Sequence, residues 1–251
     1  MDAIAVKLER LKREAQREWK RKWRQKLRDV TPSNAAEWRA LAGAIVAGLL
    51  KIALIIALPF AVLVRSSVFI YQHGQTSVWV ALFVAAFLAA TVVTGYAVWL
   101  ARKFTTKGGK GGRDLIIPVA KWVALPLVLF YCSYSLIYLA RVNAKSEPVR
   151  AYYHSLHPLL RLALSTLILA DRDILITDAG REPEDYTRMG LPTNNRTRHY
   201  RQADGWIHAV DLRTTGRGAI KNREIQLYFW LMGFDTRRHV GTADHLHVEL
   251  N

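Results

Sequence analysis

Three long apolar runs constrain this chain more than any other feature of its sequence. They cover residues 41–64, 78–100 and 115–140, and each is long enough for a helix that crosses a bilayer, which needs about 20 apolar residues. The second run contains no charged residue, whereas the first contains Lys51 and the third contains Lys121. Lys121 lies near the end of its run, where its side chain can reach the membrane interface, but Lys51 lies deeper. The sequence therefore predicts an integral membrane protein with three spans.

Basic residues are distributed unequally around these runs. Residues 1–40 contain 12 Lys and Arg, and the glycine-rich loop 101–114 contains five, but the segment between the first two runs contains only Arg65. Lys and Arg concentrate on the cytoplasmic side of membrane proteins. We therefore expect the N-terminus and loop 101–114 to be cytoplasmic. Residues 141–251 then lie on the periplasmic or extracellular side of the cytoplasmic membrane. The first apolar run begins too late, and is too long, for a cleavable signal peptide.

The first forty residues form a basic cytoplasmic segment with a predicted amphipathic helix. Apolar residues recur there every three or four positions, which places them on one helical face. They are Ile4, Leu8, Leu11, Ala15, Trp19, Trp23 and Leu27. One interpretation is a helix lying on an anionic membrane surface. The alternative is a solvated helix or short coiled coil, which could bind a protein partner.

The region 141–251 has a different character from the rest of the chain. It contains 16 basic and 13 acidic residues, so the net charge of +16 comes mostly from the preceding segments and no nucleic-acid-binding surface is predicted. The only cysteine, Cys132, lies in an apolar run and allows no intrachain disulfide. Residue patterns predict helices over 152–169 and 221–232 and strands over 174–177, 206–212 and 245–250. This order is typical of a small α+β domain.

Histidines and acids are concentrated in the same region, which contains seven of the eight histidines. Zinc hydrolases use three nitrogen or oxygen ligands and leave a fourth position open, with a carboxylate nearby to accept a proton. Residues two apart on a strand share a face, so His245 and His247 can both point into one site. Together with Asp211 on another strand and further histidines, this pattern predicts a zinc site.

Four ordered segments resemble one family. The strand and turn at 174–183, the segment 197–199, the segment 209–212 and the closing segment 244–250 are similar to the Gly-x-Arg, Ser-x-His, Ala-x-Asp and acid-x-x-His elements of zinc D-Ala-D-Ala carboxypeptidases and related phage endolysins. The resemblance covers residues 155–251 and none of the membrane part. It implies the antiparallel α+β fold shared by lysostaphin-type peptidases and hedgehog domains.

The resemblance also implies roles for individual residues. His199, Asp211 and His247 would bind Zn²⁺, and Asp244 would be the general base. Arg181 would hold a substrate carboxylate or carbonyl oxygen, and His245 would lie beside the metal and stabilise the oxyanion.

One spacing departs from the family pattern His-x-x-Gly-x-Ala-x-Asp. His199 precedes Asp211 by twelve positions, which requires an insertion around residues 202–206. His208 is therefore the alternative first ligand, although on a regular strand it would face away from Asp211.

The function expected from these features is a membrane-anchored zinc metallopeptidase, a D,D- or L,D-peptidase that cleaves stem peptides or cross-links of peptidoglycan. The alternative is a catalytically inactive zinc-binding domain. It would recognise a cell-wall peptide or a protein partner within a membrane-associated machine, because hedgehog-type relatives need not hydrolyse anything.

Overall fold

The structure, a computed structural model of the 251-residue chain, describes residues 3–30, 34–104, 114, 116–188, 190, 192, 196–241 and 244–251. Its helices are α1 (Ala3–Val30), α2 (Ala35–Gly74), α3 (Val78–Phe104), α4 (Ile116–Val119), α5 (Leu125–Ile137), α6 (Glu147–Tyr152), α7 (Pro158–Ala170), α8 (Pro183–Arg188) and α9 (Ala219–Met232). A π turn, Ala120–Ala124, joins α4 to α5, and short 3₁₀ turns flank α6. The strands are β1 (Ile176–Asp178), β2 (Ala209–Arg213), β3 (Asp235–His239) and β4 (His245–Glu249). Contacts divide the chain into two units, Met1–Ile56 and Ala57–Asn251.

Three helical segments are long and apolar enough to cross a membrane, as the sequence predicted. They are Ala35–Gly74, Val78–Arg102 and Ile116–Ile137. The first differs most from its predicted limits, because α2 continues without a break to Gly74. Its 40 residues correspond to about 60 Å of helix, roughly twice the thickness of a hydrocarbon core. Most of the predicted loop 101–114 lies outside the described residues, since these omit 105–113.

In the first unit, α1 forms over the predicted residues. The Trp19 and Trp23 rings stack with their centroids 5.9 Å apart, and both side chains are exposed. Ion pairs between Arg10 and Glu14 and between Lys22 and Glu18 span one helical turn, a spacing that supports an isolated helix weakly. Membrane-surface binding and partner binding both remain predictions for this helix.

The second unit contains a four-stranded antiparallel sheet in the order β1-β2-β4-β3. The predicted arrangement of membrane helices followed by a small α+β domain with an antiparallel sheet is thus confirmed. Strand β3 was not predicted. Its sequence, Asp-Thr-Arg-Arg-His, is charged and mostly exposed, as is common for an edge strand, and it has no apolar alternation to reveal it.

Helix α7 lies between α5, the last membrane helix, and the part of the chain that contains the four-stranded sheet and α9, here called the sheet domain. Its first eight residues are buried, and Tyr131 on α5 is hydrogen bonded to Thr166 at 2.7 Å. The guanidinium of Arg161 donates to the Leu136 carbonyl at 2.7 Å. On the other side, the Tyr228 hydroxyl of α9 donates to the Ala163 carbonyl at 2.9 Å. The sheet domain is therefore packed on the membrane helices, and experiments on it need the full chain.

Candidate metal centre

Strand alternation sets the position of the candidate site. On β4, Leu246 and Val248 are buried in the core, so His245, His247 and Glu249 share the opposite face. Asp211 on β2 lies directly across from His247 in the antiparallel ladder. Side chains opposite each other on neighbouring strands have Cβ atoms about 4.5–5.5 Å apart. Asp211 and His247 are therefore brought together by the sheet itself.

His199 reaches the same place from the loop before β2. Its carbonyl accepts a hydrogen bond from the Arg181 amide at 3.1 Å, and the Thr197 hydroxyl accepts one from its own amide at 3.3 Å. These contacts fix the backbone of His199 beside the turn that follows β1. The ring is almost fully buried, at 2% exposure.

Three ligand atoms converge at this point. The Nδ1 atom of His247 is 2.8 Å from Asp211 Oδ1, and the His199 Nε2 atom is 3.3 Å from His247 Nδ1 and 3.4 Å from Asp211 Oδ1. Ligands about 2.0–2.1 Å from a tetrahedral zinc ion lie about 3.3–3.4 Å from each other. Two of the three separations fit a single ion of this kind, whereas the third, 2.8 Å, is that of a hydrogen bond between His247 and Asp211. The three residues form one of the groups that could hold a metal.

The protonation chemistry of the group also fits a cation. Burial raises the pKa of Asp211, but hydrogen bonds from His199 and His247 hold it well below its usual range. Burial lowers the pKa of His247, yet the Asp211 and Glu249 carboxylates raise it above its ordinary value overall. The carboxylate thus stays ionised and attracts positive charge, which either a proton on His247 or a metal ion supplies.

Neighbouring residues orient the ligands. Glu249 Oε2 lies 3.2 Å from His247 Nε2, the ring nitrogen that faces away from the group. Arg181 donates from Nη2 to Asp211 Oδ2 at 3.0 Å, which leaves Oδ1 directed at the histidines. Metal-binding histidines are commonly held by a carboxylate on their second nitrogen. Glu249 was missed from the sequence, although its position two residues after His247 on a predicted strand indicates the shared face.

Arg181, predicted to hold a substrate oxygen, is paired within the chain. Besides Asp211 it contacts Asp178, whose Oδ2 accepts from Nε at 2.6 Å, and it donates to the Tyr186 hydroxyl at 3.3 Å. Burial lowers the pKa of Arg181, but the two carboxylates raise it further than burial lowers it. The structure thus places Arg181 next to the ligand group, with its guanidinium shared between acidic side chains of the chain itself.

His245 and Asp244 have different surroundings. His245 Nε2 is 3.7 Å from Asp211 Oδ2, and its ring stacks on His239 with centroids 4.8 Å apart, so it borders the group. Asp244 Oδ2 accepts from Arg238 Nη2 at 2.9 Å, and its Oδ1 accepts from the Thr214 hydroxyl at 2.5 Å. These two hydrogen bonds, Arg238 first, lower the pKa of Asp244. Asp244 is not part of the group of three ligands and is engaged elsewhere.

His208, the alternative first ligand, lies in a separate cluster. It precedes Asp211 by three positions, so strand alternation directs the two side chains to opposite faces. Its Nε2 is 2.9 Å from Asp204 Oδ2, and its ring packs on that of His157 with centroids 4.7 Å apart. The structure therefore places His199, and not His208, beside Asp211 and His247.

A cleft of about 290 Å³ opens beside His247. Its walls come from β3, β4 and α9, and the lining residues are Trp230, Asp235, Thr236, Arg237, His247 and Glu249. Because His199 and Asp211 are buried, the partly exposed His247 is the ligand that connects the group to this space. The cleft presents an indole, an arginine and carboxylates.

Comparison of the chain with models of protein families, with curated proteins and with solved structures gives no match. The functional argument accordingly depends on the geometry of these residues.

Proposed function

We propose that residues 141–251 form a zinc metallopeptidase domain, held at the membrane by the three apolar helices of the chain, that cleaves stem peptides or cross-links of peptidoglycan. The observation that carries the proposal is the separation of 2.8–3.4 Å among His199 Nε2, His247 Nδ1 and Asp211 Oδ1. Two of the three separations match those between ligands of one tetrahedral ion, which would leave a fourth position for chemistry. A zinc ion held there would polarise a scissile carbonyl and make water a stronger acid.

The surrounding residues have separate tasks in this proposal. Glu249 and Arg181 orient His247 and Asp211, as their contacts of 3.2 and 3.0 Å support. The cleft beside His247 takes the peptide in an extended form. His245, bordering the group, is the side chain proposed to donate to the oxyanion. Asp244 accepts the proton as general base after its carboxylate leaves Arg238, a contact that is partly exposed on both sides.

The charge distribution supports the proposed substrate. The bias of Lys and Arg toward residues 1–40 and loop 101–114 favours a cytoplasmic N-terminus. With three spans, the sheet domain then faces the compartment that contains peptidoglycan. Since this domain packs directly on α5 through α7, the cleft would act on wall material close to the membrane.

A second candidate function is a zinc-binding domain that recognises a wall peptide or protein partner without cleaving it. The observation in its favour is Asp244, whose two carboxylate oxygens are bound by Arg238 and Thr214. A general base in this state has a lowered pKa and no free oxygen directed at the ligand group. The two functions differ in whether Asp244 matters for turnover.

The test uses the full chain in detergent, loaded with zinc and incubated with purified peptidoglycan, and follows released muropeptides by mass spectrometry. We expect peptide cleavage that a chelator stops. Asp244→Asn should keep its zinc and lose about 10²–10⁴-fold in rate, the range for a general base. Asp173→Asn, which changes a highly exposed carboxylate paired with Lys221, is the matched control and should retain activity. Zinc-loaded protein that leaves every muropeptide intact would exclude the peptidase and leave the binding function.

A further inference from the structure

A second set of metal-ligand atoms lies outside the candidate centre. His157 precedes α7, Asp204 lies in the loop before β2, and His208 is the residue just before that strand. Their ligand atoms all lie within 4.8 Å of one another. His157 is fully buried and His208 is 6% exposed, whereas Asp204 is exposed on one side. The cluster shares no residue with the group formed by His199, Asp211 and His247.

The hydrogen bonds of His208 leave an unusual contact at its second nitrogen. Its Nδ1 lies 3.3 Å from the Leu250 carbonyl, an acceptor that calls for a proton on Nδ1. Nε2 then presents a lone pair toward Asp204 Oδ2 at 2.9 Å, another acceptor. A lone pair facing a carboxylate at this distance requires a proton or a metal cation between them.

The surroundings of His157 favour a metal cation over a proton. Among the described residues its buried Nε2 has no hydrogen-bond partner, and it lies 3.9 Å from the same Asp204 oxygen. A proton on His208 would satisfy only the shorter contact and leave this nitrogen unpaired. One cation among the three residues satisfies both nitrogens and the carboxylate. Metal binding at Nε2 moves the ring proton of His157 to Nδ1. The 3.3 Å hydrogen bond that Nδ1 accepts from the Leu159 amide is then lost.

The membrane helix α2 completes the surroundings. The Tyr71 hydroxyl is 3.4 Å from Asp204 Oδ2, and its ring packs on His157 with centroids 4.7 Å apart. Tyr71 belongs to the part of α2 that forms one unit with the sheet domain. An ion in the cluster would therefore join the loop before β2, the start of α7 and the end of this membrane helix.

We propose that His157, His208 and Asp204 form a second, structural site for a divalent ion of the zinc type, with the Tyr71 oxygen beside it. Two imidazoles and a carboxylate are ligands that zinc accepts, and the two imidazoles here are buried. The role of this ion is to hold the sheet domain on the membrane helices. It is independent of the peptidase proposal, because the site contains none of the residues assigned to catalysis.

The experiment measures zinc by mass spectrometry in the full chain after equilibrium dialysis in detergent. Wild type should hold about two equivalents, His247→Ala about one, and the double variant His247→Ala with Asp204→Ala close to none. Added zinc should also raise the unfolding temperature of His247→Ala protein, by mass action, and not that of the double variant. Asp173→Ala combined with His247→Ala is the matched control and should retain the remaining equivalent.

A folding defect in the double variant is separated by Asp204→His, which restores a ligand and should restore the lost equivalent in the His247→Ala background. The proposal is overturned if His247→Ala protein binds no zinc at all. It is equally overturned if the remaining equivalent survives both Asp204→Ala and His208→Ala.

Discussion

Glu249 provides the sharpest test of how the candidate centre is built. Its Oε2 atom lies 3.2 Å from His247 Nε2. Replacing it with alanine removes the acceptor that fixes the ring orientation and raises the basicity of the ligand nitrogen. Loss of such a partner weakens metal affinity by about 10–100-fold, which corresponds to about 1.4–2.7 kcal/mol. Glu249→Gln keeps an oxygen acceptor without the charge, so its loss should be smaller.

The assay is competition for zinc between the full chain and a chromophoric chelator, in a background with Asp204→Ala so that one site is measured. The matched control is Asp235→Asn, which removes a carboxylate that lines the same cleft and is bound by Asn251 rather than by His247. The reasoning is refuted if Glu249→Ala binds zinc as tightly as its parent. It is also refuted if Asp235→Asn weakens binding equally, since the effect would then be the general negative charge of the cleft.

Three further predictions follow from the same structure. Zinc binding must displace a proton from His247, whose pKa is raised above the ordinary histidine value of about 6.5. As the pH falls below the pKa of His247, the affinity for zinc should therefore fall about tenfold per pH unit. A pH series of chelator titrations measures this, and a loss of affinity that begins only below about pH 6.5 would contradict the prediction. Gly180→Ala places a Cβ 2.6 Å from Tyr152 Cδ1 and should lower the free energy of unfolding by about 1–3 kcal/mol. Gly95→Ala, whose Cβ meets no described atom within 4 Å, is the control and should not lower the melting temperature. Equal melting curves for the two variants would contradict the prediction. Val240 is 80% exposed. In a chain whose native cysteine is replaced by serine, Val240→Cys should react with an impermeant maleimide added outside intact cells. Labelling only after lysis would reverse the predicted orientation.

The elements predicted from the sequence are those with a strong periodic pattern. The three apolar runs and helix α9 were found because length and spacing alone define them. Strand β4 was found because His245, His247 and the apolar residues between them alternate, and this alternation also predicts that the two histidines share a face. Strand β3 escaped because its charged residues are stabilised by pairing with β4, a contact between segments that local patterns do not encode.

The site residues differ in the same way, since those on strands with a periodic pattern could be predicted and those on irregular segments could not. Asp211 and His247 sit on periodic strands, so their faces were predictable. His199 lies on an irregular loop. The resemblance to a family, and the strand alternation that turns His208 away from Asp211, favoured His199, but no local rule predicts that the loop carries it back to the sheet. The hydrogen bond from Arg161 to the Leu136 carbonyl was also unpredictable, since it joins segments 25 positions apart.

The most direct test of the account is anomalous diffraction at the zinc absorption edge from crystals of the full chain. We predict a peak about 2.0–2.2 Å from His199 Nε2, His247 Nδ1 and Asp211 Oδ1 together. A zinc-containing crystal with no peak between these three atoms, or with a peak whose ligands exclude Asp211, would contradict the account.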